Sequence, residues 1–288
     1  MGGASGHGIE TRQLQLISYL LGCLFLSVLA VSGVYPPISI HGSLLWFSLS
    51  CYFGVGVLAF VLNETMARAM ERGPNGLVWA FRQSGMLIPF IWGICAHNVK
   101  AGAVRLIGMC VLLVALGLMS FNHDMKKKET QGTSWLVLAL VTFVLCGFQM
   151  IINSEPSYQP EVRDGIPVVY RCLVMEFGTV VYALCVWLYR GFGAWRKSAA
   201  VNFRLPWFWV YAVSLQVFYL SATLCLTFNG LDRMAKLGLG ALSYPVIVVS
   251  CIVWFTLYSF VVLRERLSWK QILDLLCCVG GIAMLSLS

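Results

Sequence analysis

Nine stretches of about 20 mostly apolar residues, at 14–34, 43–63, 76–97, 103–121, 134–153, 167–189, 206–229, 238–262 and 270–287, fill most of this 288-residue sequence. A helix rises about 1.5 Å per residue, so each stretch matches the roughly 30 Å hydrocarbon core of a bilayer. With 59% hydrophobic and only 11% charged residues, the chain lacks the polar surface of a water-soluble domain. Membrane β-strands would be about 10 residues of alternating polarity, whereas runs such as WLVLALVTFVLCGF are apolar on every face. The expected fold is an all-α polytopic membrane protein of about nine transmembrane helices, an integral protein of the plasma (inner) membrane. The first stretch reads as a span and not as a cleaved signal peptide, being long and preceded only by Arg12.

The net charge of +8 does not point to nucleic acid, because the basic residues form no stripe with interleaved aromatics. They sit in short connections, thirteen on one set of alternate loops against six on the other, with Arg82 in neither set. By the positive-inside rule this puts the N-terminus in the cytoplasm and the C-terminus outside. Trp207, Phe208 and Trp209 read as part of a headgroup-level aromatic belt. Eleven cysteines lie almost entirely within the apolar stretches without a paired metal-binding spacing, so they read as packing residues and no metal is expected.

The sequence also repeats itself. At a constant offset of 161, LLWFSLSCYFGVGVLAF from Leu44 falls on LPWFWVYAVSLQVFYLS from Leu205, pairing Trp46 with Trp207, Phe47 with Phe208 and Glu71-Arg72 with Asp232-Arg233. After five extra residues in the second copy, 104–120 matches 270–286 in length and hydropathy. This divides the chain into a first repeat of four helices at 1–123, a polar lysine-rich linker at 124–133 and a second repeat of five helices at 134–288.

The stretch ALSYPVIVVSCIVWFTLYSFVVLRERLSWKQILDLLCCVGGIAML (241–285) resembles the closing helix pair of the drug/metabolite transporter superfamily, EamA-like branch. Glu265 stands where that family has a loop acid, with Arg264 in place of the usual glycine; the first-half counterpart from Phe81 lacks the acid. The resemblance implies two five-helix inverted repeats, so a first helix is missing and MGGASGHGIETRQ is expected to be the loop that follows it. It also implies two cytoplasmic termini, against the charge count, which leaves orientation open. The function implied is secondary transport of a small metabolite or drug-like solute by alternating access, through a central cavity between the halves.

The residues themselves are consistent with a carrier. No HExxH, Walker A loop or phosphate-cradling glycine pattern is present, so neither an enzyme nor a cofactor is expected; the glycines at 238 and 240 read as helix-packing positions. The alternatives are an intramembrane enzyme acting on lipid, or a receptor or assembly protein that moves no solute. Polar groups deep in the spans are the candidate site, since they must find partners or line a wet cavity. A carboxyl among apolar groups can cycle between charged and neutral forms, which makes Glu176 the candidate for proton coupling. Gln149, Asn153 and Gln216 are candidate substrate contacts, or else interhelical glue. Arg82 and Gln83 offer donors to an anionic group, and the 161 offset sets them against Ser243 and Tyr244, with Pro245 loosening the helix behind. Arg82 could instead snorkel to the headgroups, as Arg171 is expected to do from its position near a helix start.

Overall fold

The computed structural model describes residues 11–73, 75–99, 102–124, 134–190, 203–261 and 269–286, and every regular element among them is helical. The elements are α1 (Thr11–Val31), α2 (Ser43–Arg72), α3 (Asn75–Ser84), α4 (Leu87–His97), α5 (Ala103–Asp124), α6 (Ser134–Ser154), α7 (Pro160–Gly165), α8 (Val168–Arg190), α9 (Pro206–Ala222), α10 (Phe228–Lys236), α11 (Ser243–Val261) and α12 (Trp269–Ser286). Among the described residues five helical runs are long and apolar enough to cross a membrane: Gln13–Val31, Ser43–Arg72, Ser134–Tyr158, Val168–Tyr189 and Pro206–Lys236. The remaining four apolar stretches are helical too, as α3 with α4, α5, α11 and α12. The linker from 125 to 133 and the Glu265 loop lie outside the described residues.

Several boundaries differ from the sequence expectation for identifiable reasons. The stretch 76–97 is two helices, broken at Gly85 and Met86. Pro89 has no N–H to give the carbonyl four residues back, which is that of Gly85; this oxygen accepts from the Ile88 N–H at 3.1 Å instead. The Gly85 and Met86 amides in turn donate to the Arg82 and Gln83 carbonyls at 3.1 and 3.2 Å. A π turn at Thr223–Thr227 joins α9 to α10, so the stretch 206–229 runs on to Lys236. Side chains bond carbonyls around that turn: Thr227 Oγ1 donates to Ala222 (3.3 Å), and Asn229 Nδ2 to Leu224 (3.0 Å) and Cys225 (3.2 Å). Gly238 is no packing residue. Its φ of 70° makes the turn before α11, and a side chain there would meet nothing within 4 Å.

α2 is 30 residues long, about 45 Å, which exceeds the hydrocarbon thickness. Its last turns are accordingly polar, with Arg68 and Glu64 paired at 2.6 Å one turn apart.

The chain packs as two compact units, and each draws on both halves of the sequence. The first comprises Met1–Phe60 and Glu155–Asp232. Here α1 lies against α8 and α9, with Leu14, Phe208 and Ala212 in one buried cluster and Leu16, Phe60, Val180 and Ala183 in another. Phe208 therefore belongs to the core, while its neighbours Trp207 and Trp209 are exposed as an aromatic belt requires. α2 and α8 cross at a pair of glycines: a Cβ on Gly56 would run into the Met175 carbonyl, and one on Gly178 into the Phe53 carbonyl. Thr179 Oγ1 donates to the Gly56 carbonyl across the same crossing at 2.9 Å.

The second unit comprises Val61–Ser154 and Arg233–Ser288. α3 and α4 pack on α6, and α5 packs on α12. The α5–α12 contact is again made by glycines, Gly108 and Gly281, where a Cβ on either would crowd the other's carbonyl. Such small-residue crossings let helix backbones approach closely where lipid offers no hydrophobic drive to association.

Because backbone cannot yield as a side-chain tip can, Gly56→Val and Gly178→Val should each cost about 1–3 kcal/mol. Thermal unfolding of the purified protein in detergent checks this. Gly54→Ala, on the same helix with open space around it, should be neutral or slightly stabilising.

Candidate functional site

In the first unit, helix geometry sets three polar side chains from three helices against one another. Ser18 lies on the face of α1 turned to α9, Gln216 is in the middle of α9, and Glu176 is eight residues into α8. Gln216 Nε2 donates to Glu176 Oε1 at 2.8 Å, and Ser18 Oγ lies 3.1 Å from Gln216 Oε1 and 3.0 Å from the Ala212 carbonyl. Glu176 is 1% exposed. Its second oxygen, Oε2, has no hydrogen-bond partner. Gly22, one turn beyond Ser18, gives the Gln216 amide the room to reach across: a Cβ there would collide with Gln216 Nε2 and lie 3.1 Å from Glu176 Oε2. Tyr19 and Tyr219 pack edge-to-face beside this chain with ring centroids 6.0 Å apart.

One turn and a half earlier on α8, Arg171 is treated in the opposite way. It does not snorkel: it is fully buried and all five of its N–H groups are used. Nη1 donates to both carboxylate oxygens of Asp232 at 2.9 Å. Nη2 donates to the carbonyls of Val162 (3.1 Å) and Arg163 (2.9 Å), and Nε to that of Ile166 (2.8 Å). The guanidinium also sits 5.7 Å from the Phe228 ring centroid. A single side chain thus ties the carbonyl end of α7 to α8 and α10.

In the second unit Asn153, near the end of α6, donates to the Tyr244 hydroxyl at 2.7 Å, both residues being buried. Asn153 Oδ1 and the neighbouring Ser243 Oγ are buried without a partner. Gln149, one turn before Asn153, is half-buried. Arg82 and Gln83 are half-buried on the last turn of α3, just before the break. Arg82 Nη1 donates to the Met66 thioether at 3.1 Å. No carboxylate among the described residues pairs with it. Of the residues singled out in the sequence, the structure joins Glu176 with Gln216, and Asn153 with Tyr244; Arg82 and Tyr244 keep separate partners. Among the described residues no three His, Cys, Asp or Glu side chains gather as a metal would need.

Ser18, Gly22 and Asp232 were not legible as site residues. A serine and a glycine in an apolar helix are ordinary, and Asp232 stands out in the sequence only as the repeat counterpart of Glu71. The available signal was that Arg171 and Glu176 are both ionisable and share one helix, so each needed a partner from elsewhere.

No family model and no curated protein matches the sequence. A solved structure, described only as the crystal structure of a protein, aligns over 96% of this chain and 98% of its own at 16% identity, with a TM-score of 0.56. The likeness is one of fold over nearly the whole length, and carries no assignment of function.

Removing one partner of a buried ion pair strands the other charge, which typically costs about 3–5 kcal/mol. Asp232→Asn should therefore lower the unfolding temperature markedly. Arg171→Lys should do the same, since an ammonium has three donors for the five bonds; unfolding in detergent measures both.

Proposed function

We propose that this chain is a secondary transporter that moves a small metabolite or drug-like solute across the plasma membrane by alternating access, as a member of the EamA-like drug/metabolite transporters. In this reading all nine helical stretches cross the membrane and form two inverted repeats. The lengths of the elements support the repeat: at the offset of 161, Pro206 falls within two residues of the start of α2 and Lys236 within three of its end. Both elements carry an acid-arginine pair near their ends, Glu71-Arg72 and Asp232-Arg233.

The observation that carries the reading is Glu176, a carboxyl in the interior of a membrane-crossing helix whose second oxygen is left without a donor. A group placed only to hold helices together would be satisfied on both sides, as Arg171 is. An ionisable residue kept in the membrane at such cost is a functional group by default. Glu176 is assigned to proton coupling. Arg82 is assigned to the solute, because its hydrogen-bond partner among the described residues is a weak sulfur acceptor, the Met66 thioether, and a guanidinium has donors to spare for a carboxylate or another anionic group. Gln83 on the same turn, and Gln149, Asn153 and Tyr244, supply the remaining polar contacts. The break between α3 and α4 and the π turn in α9–α10 add support, as both kinds of irregularity recur where membrane helices bind and move ligands.

A solute screen in proteoliposomes tests the function; a protein that inserts and moves nothing leaves a receptor or assembly role. With the solute known, Arg82→Gln should abolish uptake while insertion is unchanged, and Arg82→Lys should restore only part of it because the planar fork is lost. Glu176→Gln should flatten the dependence of uptake on pH. Normal uptake in Arg82→Gln together with Tyr244→Ala would move the solute site elsewhere.

A further inference from the structure

Gln216 is a poor solute contact as the structure holds it. Its carbonyl faces Ser18, its amide faces Glu176, and Gly22 closes over it so tightly that even a methyl group would collide.

The hydrogen inventory is more telling. Ser18 Oγ is within bonding distance of two acceptors, the Ala212 carbonyl and Gln216 Oε1, yet a hydroxyl has one hydrogen. The Ala212 carbonyl lies inside α9 and also takes the helix N–H four residues on, so the one hydrogen is available to Gln216 Oε1 whenever Gln216 directs its amide at the carboxylate. The same three side chains can be satisfied a second way if Glu176 gains a proton on Oε1 and the Gln216 amide turns over. The carboxyl O–H then donates to Gln216 Oε1, Gln216 Nε2 donates to Ser18 Oγ, and the Ser18 hydrogen is free for Ala212. Only an O–H bond forms or breaks, the proton coming from and returning to water, and the amide turns without a covalent change.

We infer that Ser18, Gln216 and Glu176 form a two-state proton-holding relay in which Gln216 is the positioning residue and Gly22 provides the space it needs. The inference rests on the reading of Glu176 as the proton-coupling group and deepens it. The other titratable groups around the carboxyl are Tyr19 and Cys23 on α1, Cys172 on α8 and Tyr219 on α9. Among the described residues the hydrogen-bond partner of the carboxyl is Gln216, and its second oxygen has none, so Gln216 is the group that responds to the charge on Glu176.

The test needs no solute. Dicyclohexylcarbodiimide adds to a protonated carboxyl in apolar surroundings: the O–H adds across the C=N bond, and acyl migration leaves a stable N-acylurea on the side chain. Labelling of Glu176 in the full-length protein, read by peptide mass spectrometry, should fall as pH rises. Gln216→Leu removes the amide, and Gly22→Ala leaves it intact but drives it off the carboxyl. A hydrogen bond to a charged group is the stronger of the two that Gln216 makes in its two states. Both variants should therefore raise labelling at a fixed pH, by about threefold or more, with Gly54→Ala unchanged. Since Gly22→Ala adds a better helix former, it keeps the test valid if Gln216→Leu folds poorly. Unchanged labelling in Gly22→Ala or in a folded Gln216→Leu overturns the relay, as does a Glu176 that is labelled at no pH. A Glu176→Gln protein whose uptake keeps its pH dependence defeats the coupling role instead, and leaves the labelling result standing.

Discussion

A backbone amide in hydrocarbon has no water to bond, and among the described residues the break before α4 and the π turn after α9 are each met by substitute partners. Where Pro89 withholds an N–H, the chain turns through Gly85 and Met86 and the freed carbonyl takes the Ile88 amide. Where α9 widens into a π turn, threonine and asparagine side chains back-bond the carbonyls around it. An unsatisfied peptide group at this depth would cost several kcal/mol, so such irregularities persist only where the local sequence can answer them. Their positions follow from the placement of one proline and a few hydroxyl and amide residues.

The same constraint acts on ionisable side chains, and α8 shows both ways of meeting it. Arg171 is compensated in full, by one carboxylate and three carbonyls, and becomes the tie that holds α7, α8 and α10 together. Five residues later Glu176 is compensated on one oxygen only. Two buried charges in one helix, equally shielded from lipid, thus differ in whether their bonding capacity is filled. The unfilled one can change its state, and this difference separates a structural group from a candidate functional one more sharply than burial does.

The fold was largely legible because hydropathy acts along the chain. The run 134–153 is apolar on every face and is a helix, and α8 stands where length and composition put it, while α2 starts as expected but runs nine residues past the apolar stretch to Arg72. What failed to show were events that depend on a single residue: the break that Pro89 makes in 76–97, the inward turn of Phe208 between two exposed tryptophans, and the turn that Gly238 makes with a positive φ. The candidate site was half legible. Glu176 and Gln216 were visible as polar groups in apolar runs, but not as partners, because they lie 40 residues apart and nothing in either helix marks its neighbour. Ser18 and Gly22 carried no mark at all.

By itself, then, the sequence determined that this chain is helical and lies in a membrane, because about 20 apolar residues in succession leave the backbone one way to satisfy itself in lipid. It also determined which ionisable groups would have to be accounted for. Tertiary structure decided how: that Arg171 meets Asp232 and Glu176 meets Gln216, and that glycines at 22, 56 and 178 sit where another helix leaves no room for a side chain. Those outcomes rest on distances between residues far apart in the chain, and a pattern along one strand of sequence holds no information about which faces of two helices will touch.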